Sequence, residues 1–197
     1  KNFNSTITWF VEEFIDQEVG LVVKTNTANN SVGDFERTEG LLKSILSKYP
    51  DRKCKIYLLH GDLTSGEMTS LYQNEKINAL INISHGEGFG LPMFEATREG
   101  LPVITVAWSG QNDFLYVDGE PCFERVDFSI KPVQQEAVWP GVIEKESMWA
   151  FAEQGSFKMA LRKNLKNKDK ARERAKIAQE NIQKQFSEEN LNKLFVD

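Results

Sequence analysis

The sequence predicts an α/β fold, a parallel sheet with helices on both faces, and three observations carry that prediction. Short apolar runs at 21–25, 54–60, 78–83 and 102–107 are nearly unbroken, as strands covered on both faces require. Segments with apolar residues at three- and four-residue steps stand between them. Strand and helix patterns alternate strictly, which implies parallel pairing through right-handed crossovers.

The elements follow in order. Phe3, Ile7, Phe10, Val11, Phe14 and Ile15 give an amphipathic helix over 3–15. Gly20 opens the first strand, and the polar stretch TNTANNSVGD after it is a loop with turn chemistry. Leu41, Leu42, Ile45 and Leu46 set a helix over 35–48, which Pro50 stops. CKIYLLH at 54–60 is the second strand; Thr64 and Glu67 then form a capping-box pattern for a short helix ending near Asn74. NALINI and PVITVA are the third and fourth strands. From Asp118 to about Ser147, with Pro121, Pro132, Pro140 and Gly141, periodicity is lost, and the expectation is a long irregular excursion. Helices are expected over 147–166, 169–186 and 188–195, the last two started by Asp169 and Ser187.

At 197 residues the expectation is one domain spanning 1–197, its C-terminal helices beginning near 147. An apolar share of 40% with 27% charged residues excludes a disordered chain, and no apolar run nears the roughly 20 residues that span a bilayer. The start, KNFNSTITWF, has no apolar core or cleavage site of a secretory signal. Two separated cysteines, Cys54 and Cys122, form neither a disulfide framework nor a metal-ligand spacing, which fits a reduced, cytoplasmic setting. With two histidines 25 positions apart, no metal site is expected. A net charge of −5 repels phosphate backbones, so no nucleic-acid partner is expected. The run RKNLKNKDKARERAK, 162–176, carries eight positive against two negative charges. A solvated helix face is the ordinary reading of such a run; its apolar side makes it a candidate contact with an inner membrane surface.

The stretch SHGEGFGLPMFEATREGLPVI, 84–104, leaves the carboxyl end of the third strand, where open parallel sheets bind ligands. Pro92 suits a first helical turn and Gly100 a helix end, so a helix runs over 91–99. Its free N–H groups face a loop in which Gly86, Gly88 and Gly90 let backbone approach a bulky anion, a place for a phosphate-bearing ligand. Glu87 and Glu95 frame that loop, and a carboxylate accepts hydrogen bonds from paired hydroxyls, so two sugar rings flanking a diphosphate are the natural guests. Glutamates eight apart also occur at 67/75, 136/144 and 180/188, so it is the glycine, strand and helix context that singles out 87/95.

Glu87-Gly-Phe-Gly-Leu-Pro-Met-Phe-Glu95-Ala followed by Gly100-Leu-Pro-Val-Ile resembles the donor signature of the family 4 glycosyltransferases, retaining enzymes of the GT-B fold. TVAWSGQNDF resembles the family's later strand and glycine turn, with Gly110 and Asp113 in place, and YLLHGDLTSGEMTSLY its base-pocket segment. The resemblance spans about 1–165 and belongs to the C-terminal, Rossmann-like donor domain. It implies that Glu87, the catalytic candidate, holds the hydroxyls of the transferred sugar together with Gly86. It gives the diphosphate and sugar to Gly88, Phe89, Gly90 and Leu91, the ribose to Glu95, and the base to His60, Gly61 and Leu63. Of the arginine and lysine that the family carries after the first strand, the lysine has its match at Lys1, with Lys24 and Arg37 as weaker supplements of diphosphate charge. The expectation is therefore that the preceding strand, an arginine and the N-terminal acceptor domain are absent from this sequence.

The resemblance further implies a nucleotide-sugar donor, an unknown glycan, lipid or protein acceptor, a place in glycan biosynthesis and no cofactor or metal. Competing structural readings stand beside it. Glu95 as a first-turn glutamate gains roughly 0.3–1 kcal/mol from the helix dipole alone. His60 and His85 are equally candidates for structural hydrogen bonding, Lys24 for an exposed strand end, Asp113 for a helix cap, and Trp108, Trp139 and Trp149 for packing. The alternative functions are a non-catalytic nucleotide-sugar-binding module and a GT-B epimerase or hydrolase.

Overall fold

Ile7, Phe10 and Val11 fall on one side of a helical period and are buried in α1, Phe3–Glu13, in the computed structural model, which describes residues 2–196 with side chains through Asn192. Lys1, the expected diphosphate ligand at the start of the chain, lies outside the described residues. The chain groups into two compact units, Asn2–Met68 and the residues from Thr69 on.

In the first unit β1 (Gly20–Lys24) runs parallel to β2 (Lys55–Leu59), Leu21 opposite Ile56 and Val23 opposite Leu58. Between them α2 (Val32–Leu46) packs on α1. It starts three residues earlier than the apolar period indicates, because the Ser31 hydroxyl accepts the Asp34 N–H at 3.2 Å and caps it. The capping box forms: Thr64 donates its N–H at 2.7 Å and its hydroxyl at 2.8 Å to Glu67, whose N–H returns to Thr64 Oγ1 at 3.3 Å. These hydrogen bonds hold the Glu67 carboxyl below its ordinary range and start α3 (Ser65–Tyr72).

The second unit is built on a three-stranded parallel sheet. Its order is β3 (Leu80–Asn82), β4 (Val103–Val106), β7 (Glu124–Val126), so β4 is central and buried throughout. Val103, Ile104 and Val106 are each at most 2% exposed, and each contributes roughly 1.5–3 kcal/mol by burial. The crossover from β3 to β4 is α4 (Leu91–Arg98). After β4 come α5 (Asn112–Leu115) and a small antiparallel pair, β5 (Tyr116–Val117) with β6 (Glu120–Pro121).

The stretch expected to be irregular supplies β7 and most of a hairpin. β8 (Phe128–Pro132) pairs antiparallel with β9 (Met148–Ala152), Phe128 opposite Ala152. Residues 148–152 are thus strand, not the start of a helix, and α6 begins at Gln154 and runs to Lys166. α7 (Lys168–Gln185) has Asn167 at its N-cap position, with Asp169 inside its first turn rather than capping it. Ser187 accepts the Asn190 N–H at 3.3 Å at the start of α8 (Glu188–Val196), as its sequence indicates.

α7 packs on α4, and Gln179 donates to the Arg98 carbonyl at 2.8 Å, satisfying the end of α4 where Gly100 turns left-handed with φ 74°. Of the basic run, Arg174 is turned inward to the buried Glu124, which also holds Lys163 at 2.8 Å; Lys166, Lys168, Lys170, Arg172 and Lys176 are exposed. Both cysteines are free and buried. Among the described residues no helix is long and apolar enough to cross a membrane.

Candidate functional site

The site forms where β3 ends. Asn82 turns its amide back on the chain: its carbonyl oxygen accepts the Ser84 N–H at 2.9 Å, and its NH₂ donates to Glu87 Oε1 at 3.2 Å. The Ser84 hydroxyl donates to the same oxygen at 2.8 Å. One edge of the Glu87 carboxylate is therefore fixed by two donors from the strand end, and Oε2 accepts from no group among the described residues. A carboxylate held this way presents its second oxygen with little rotamer freedom left to lose on binding.

A second turn locks the loop. The Glu87 carbonyl accepts both the Ser109 hydroxyl at 2.5 Å and the Gly110 N–H at 3.2 Å. Ser109 adopts φ 78°, a left-handed conformation unusual for a side-chain-bearing residue. A Cβ on Gly110 would stand 2.0 Å from the Gly88 carbonyl oxygen, so only glycine lets the two turns touch.

The loop glycines divide into two kinds. Gly90, at the N-cap of α4, has φ 84°, and a Cβ there would meet Met93 Cε at 2.8 Å and Gln111 Cβ at 3.2 Å. Its bareness is explained by the fold. Gly86 and Gly88 are exposed and need no left-handed φ; the nearest atom to a Cβ on Gly86 is 4.0 Å away, and around Gly88 there is nothing within 4 Å. Nothing among the described residues requires glycine at these two positions.

The N–H groups of Gly88, Phe89, Gly90 and Leu91 donate to no group among the described residues, while Met93 and Phe94 already bond the Gly90 carbonyl at 2.9 and 3.0 Å. Pro92 lies in the first turn, where no donor is lost. Four consecutive unpaired amides at a positive helix end are donors of the kind that can bind an anion. The Phe89 side chain turns away from this role: its ring packs on Phe94 at 5.1 Å, Phe114 at 5.3 Å and Phe186 at 6.0 Å, anchoring the loop to α4 and the end of α7. Glu95 lies one turn into α4, half-buried, with the hydroxyl of the buried Tyr72 at 3.5 Å from Oε2. Burial, then the neighbouring Glu95 charge and this contact, push the Tyr72 phenol up to about 12, so it remains a donor at neutral pH.

The second unit thus brings together Gly86 to Leu91, Glu95 and Gly110, with Asp113 exposed in the first turn of α5. His85, beside the loop, is held by β9: its Nδ1 donates to the Ala150 carbonyl at 2.8 Å, and its ring stacks on Trp149 at 5.1 Å and 7°. Because a carbonyl only accepts, the proton is on Nδ1.

The base-pocket candidates lie in the first unit. His60 Nε2 is 2.9 Å from Oδ2 of the fully buried Asp34, and its ring meets the Phe35 edge at 5.5 Å. Asp34 also accepts the N–H groups of Thr27 and Ala28 at 3.1 and 2.9 Å, so His60 works in a network that shapes the 25–31 loop. Lys24 donates to the Gly61 carbonyl at 2.5 Å, Gly61 having φ 101°, and Leu63 is half-buried. Sequence reasoning missed Asn82, Ser84, Ser109 and Tyr72; their one sequence signal is proximity to the glycine turns, and Tyr72 has none.

The strand end, the glycine turn and the helix start flanked by two glutamates belong to an α/β domain of the GT-B glycosyltransferase kind. The comparisons agree. A family model described as "Family 4 Glycosyltransferase in conflict systems" matches residues 70–193, and the chain belongs to that glycosyltransferase family. The fold matches a solved structure of sucrose-phosphate synthase from Thermosynechococcus elongatus with a TM-score of 0.61 and 19% identity, over 98% of this chain. The chain spans 42% of that protein's length. No curated protein sequence matches.

Proposed function

We propose that this chain is the donor-binding part of a retaining glycosyltransferase that takes a nucleotide-diphosphate sugar and passes the sugar to a glycan, lipid or protein acceptor carried by a further domain. One observation carries the reading: four unpaired amides at the start of α4, between a positioned Glu87 and a half-buried Glu95, beside two glycines that the fold itself does not need. The family membership and the fold match support it from outside the site.

In this reading the diphosphate lies over the amides of 88–91. The helix dipole supplies about 0.3–1 kcal/mol at an exposed end, whereas each hydrogen bond to a charged oxygen contributes roughly 1.5–3 kcal/mol, so the amides rather than the dipole decide the affinity. Glu87 Oε2 takes hydroxyls of the transferred sugar, and Glu95, fixed by Tyr72, takes the ribose hydroxyls. As the bond from sugar to phosphate breaks, negative charge grows on the leaving diphosphate, where the fixed donors already point. That phosphate accepts the acceptor's proton, so this part of the enzyme needs no base of its own. The proposal assigns no metal to the step; charge compensation falls to the amides and to basic side chains. A role in glycan biosynthesis at the cytoplasmic face of a membrane, with exposed lysines of α7 against anionic lipid, belongs to the same proposal.

The test is calorimetric titration of UDP, GDP and ADP into wild type and Glu95→Ala. One of the three binds wild type, and the substitution weakens it by about tenfold or more, as loss of a charge-assisted hydrogen-bond pair requires. Equal binding by both proteins removes the ribose assignment.

A further inference from the structure

We propose that Trp108 is the platform on which the transferred sugar ring lies, an inference that rests on the donor-site reading above. Trp108 follows the carboxyl end of β4 and remains 38% exposed, a large apolar ring at the edge of the site. Its indole packs against Phe128, ring centroids 5.7 Å apart and tilted by 54°. Its Nε1 is the nearest atom to the position a Cβ on Gly86 would occupy, at 4.0 Å. The indole edge and Gly86 are therefore neighbours.

Two further observations give that neighbourhood a purpose. A Cβ at position 86 would be met only by the indole Nε1, at 4.0 Å; glycine keeps this ground open, although neither backbone conformation nor packing calls for it. The indole N–H donates to no group among the described residues, leaving a donor at the same edge. The residues after Trp108 hold the geometry: Ser109 and Gly110 both bond the Glu87 carbonyl, at 2.5 and 3.2 Å. The aromatic ring and the sugar-binding carboxylate are thus fixed to each other through one hydrogen-bonded turn.

The chemistry that fits is a hexopyranose. Such a ring has a face of C–H groups, which matches the negative face of an indole, and a rim of hydroxyls, which matches the Trp108 N–H and Glu87 Oε2. The indole face also attracts the positive charge that develops on the sugar as its bond to phosphate breaks. Trp149 already has one face stacked on His85, ring centroids 5.1 Å apart at 7°.

The experiment compares each nucleoside diphosphate with its sugar conjugate, UDP with UDP-glucose, GDP with GDP-mannose and ADP with ADP-glucose, by calorimetry on wild type, Trp108→Ala and Trp108→Phe. Trp108→Ala is expected to weaken the sugar conjugate about two- to tenfold and leave the nucleoside diphosphate unchanged, with Trp108→Phe between wild type and Trp108→Ala. Equal loss for both ligands, or no loss for either, overturns the platform while leaving the donor site standing. Wild type binding none of the six overturns the donor-site reading and the platform with it.

Discussion

Tyr72 shows how a residue outside the signature can set the behaviour of one inside it. Its phenol is buried, and among the described residues its hydrogen-bond partner is Glu95 at 3.5 Å, which gives the hydroxyl a direction in which to donate. A long hydrogen bond of this kind positions more than it binds. Tyr72→Phe is expected to weaken nucleotide binding about two- to tenfold, corresponding to roughly 0.5–1.5 kcal/mol, while thermal stability changes little. Calorimetry beside thermal melts separates the two effects; unchanged affinity would mean that Glu95 needs no orienting partner. At this scale the sequence is legible where a residue type is unusual and opaque where the reason is a distant contact. Gly90 is legible as a residue at a helix start. Gly110 is visible as a glycine, but its reason, the Gly88 carbonyl 2.0 Å from a would-be Cβ, joins positions 22 apart and has no local pattern.

Among elements, the clearest dependence lies in the first unit, where Asp34 of α2 joins the end of β2 to the loop after β1. Burial alone would raise the Asp34 pKa, but the His60 hydrogen bond, the Thr27 and Ala28 N–H groups and the His60 charge outweigh it and hold it below the ordinary carboxyl value. A depressed pKa in the folded state stabilises fully above the unfolded value, roughly 3.9, and the contribution is lost as pH falls through the lower folded value. Urea melts of wild type are therefore expected to lose stability below about pH 4 more steeply than Asp34→Asn, which starts less stable and carries no such carboxyl. Parallel curves for the two proteins would assign the acid sensitivity elsewhere. The helices and the first four strands were readable because burial on two faces and the helical period leave local traces. The hairpin of β8 and β9 was not: FSIKP ends in proline, MWAFA suits a helix as well as a strand, and their pairing crosses a fifteen-residue connection, 133–147. Strand β7 was hidden for a related reason, since three residues, one of them the buried and ion-paired Glu124, carry no periodic signal.

For the molecule as a whole, charge is unevenly spread. The run 162–176 carries eight of its 24 Lys and Arg residues in a chain of net charge −5. Folding withdraws Arg174 to Glu124 and leaves the remaining surface lysines and arginines of α7 in solvent, a division that sequence alone does not reveal. The candidate site has the opposite character. It has few charged side chains near the loop and presents unpaired peptide N–H groups, which are invisible to composition and legible only through the glycines around them.

The most direct measurement is therefore on those N–H groups themselves, by proton–nitrogen correlation spectra of the whole chain titrated with UDP-glucose, GDP-mannose and ADP-glucose. For the donor that binds, the amide signals of Gly88, Phe89, Gly90 and Leu91 are expected to move furthest, with downfield proton shifts from new hydrogen bonds to phosphate oxygens. Saturable binding that leaves those four signals in place and moves others would contradict the account.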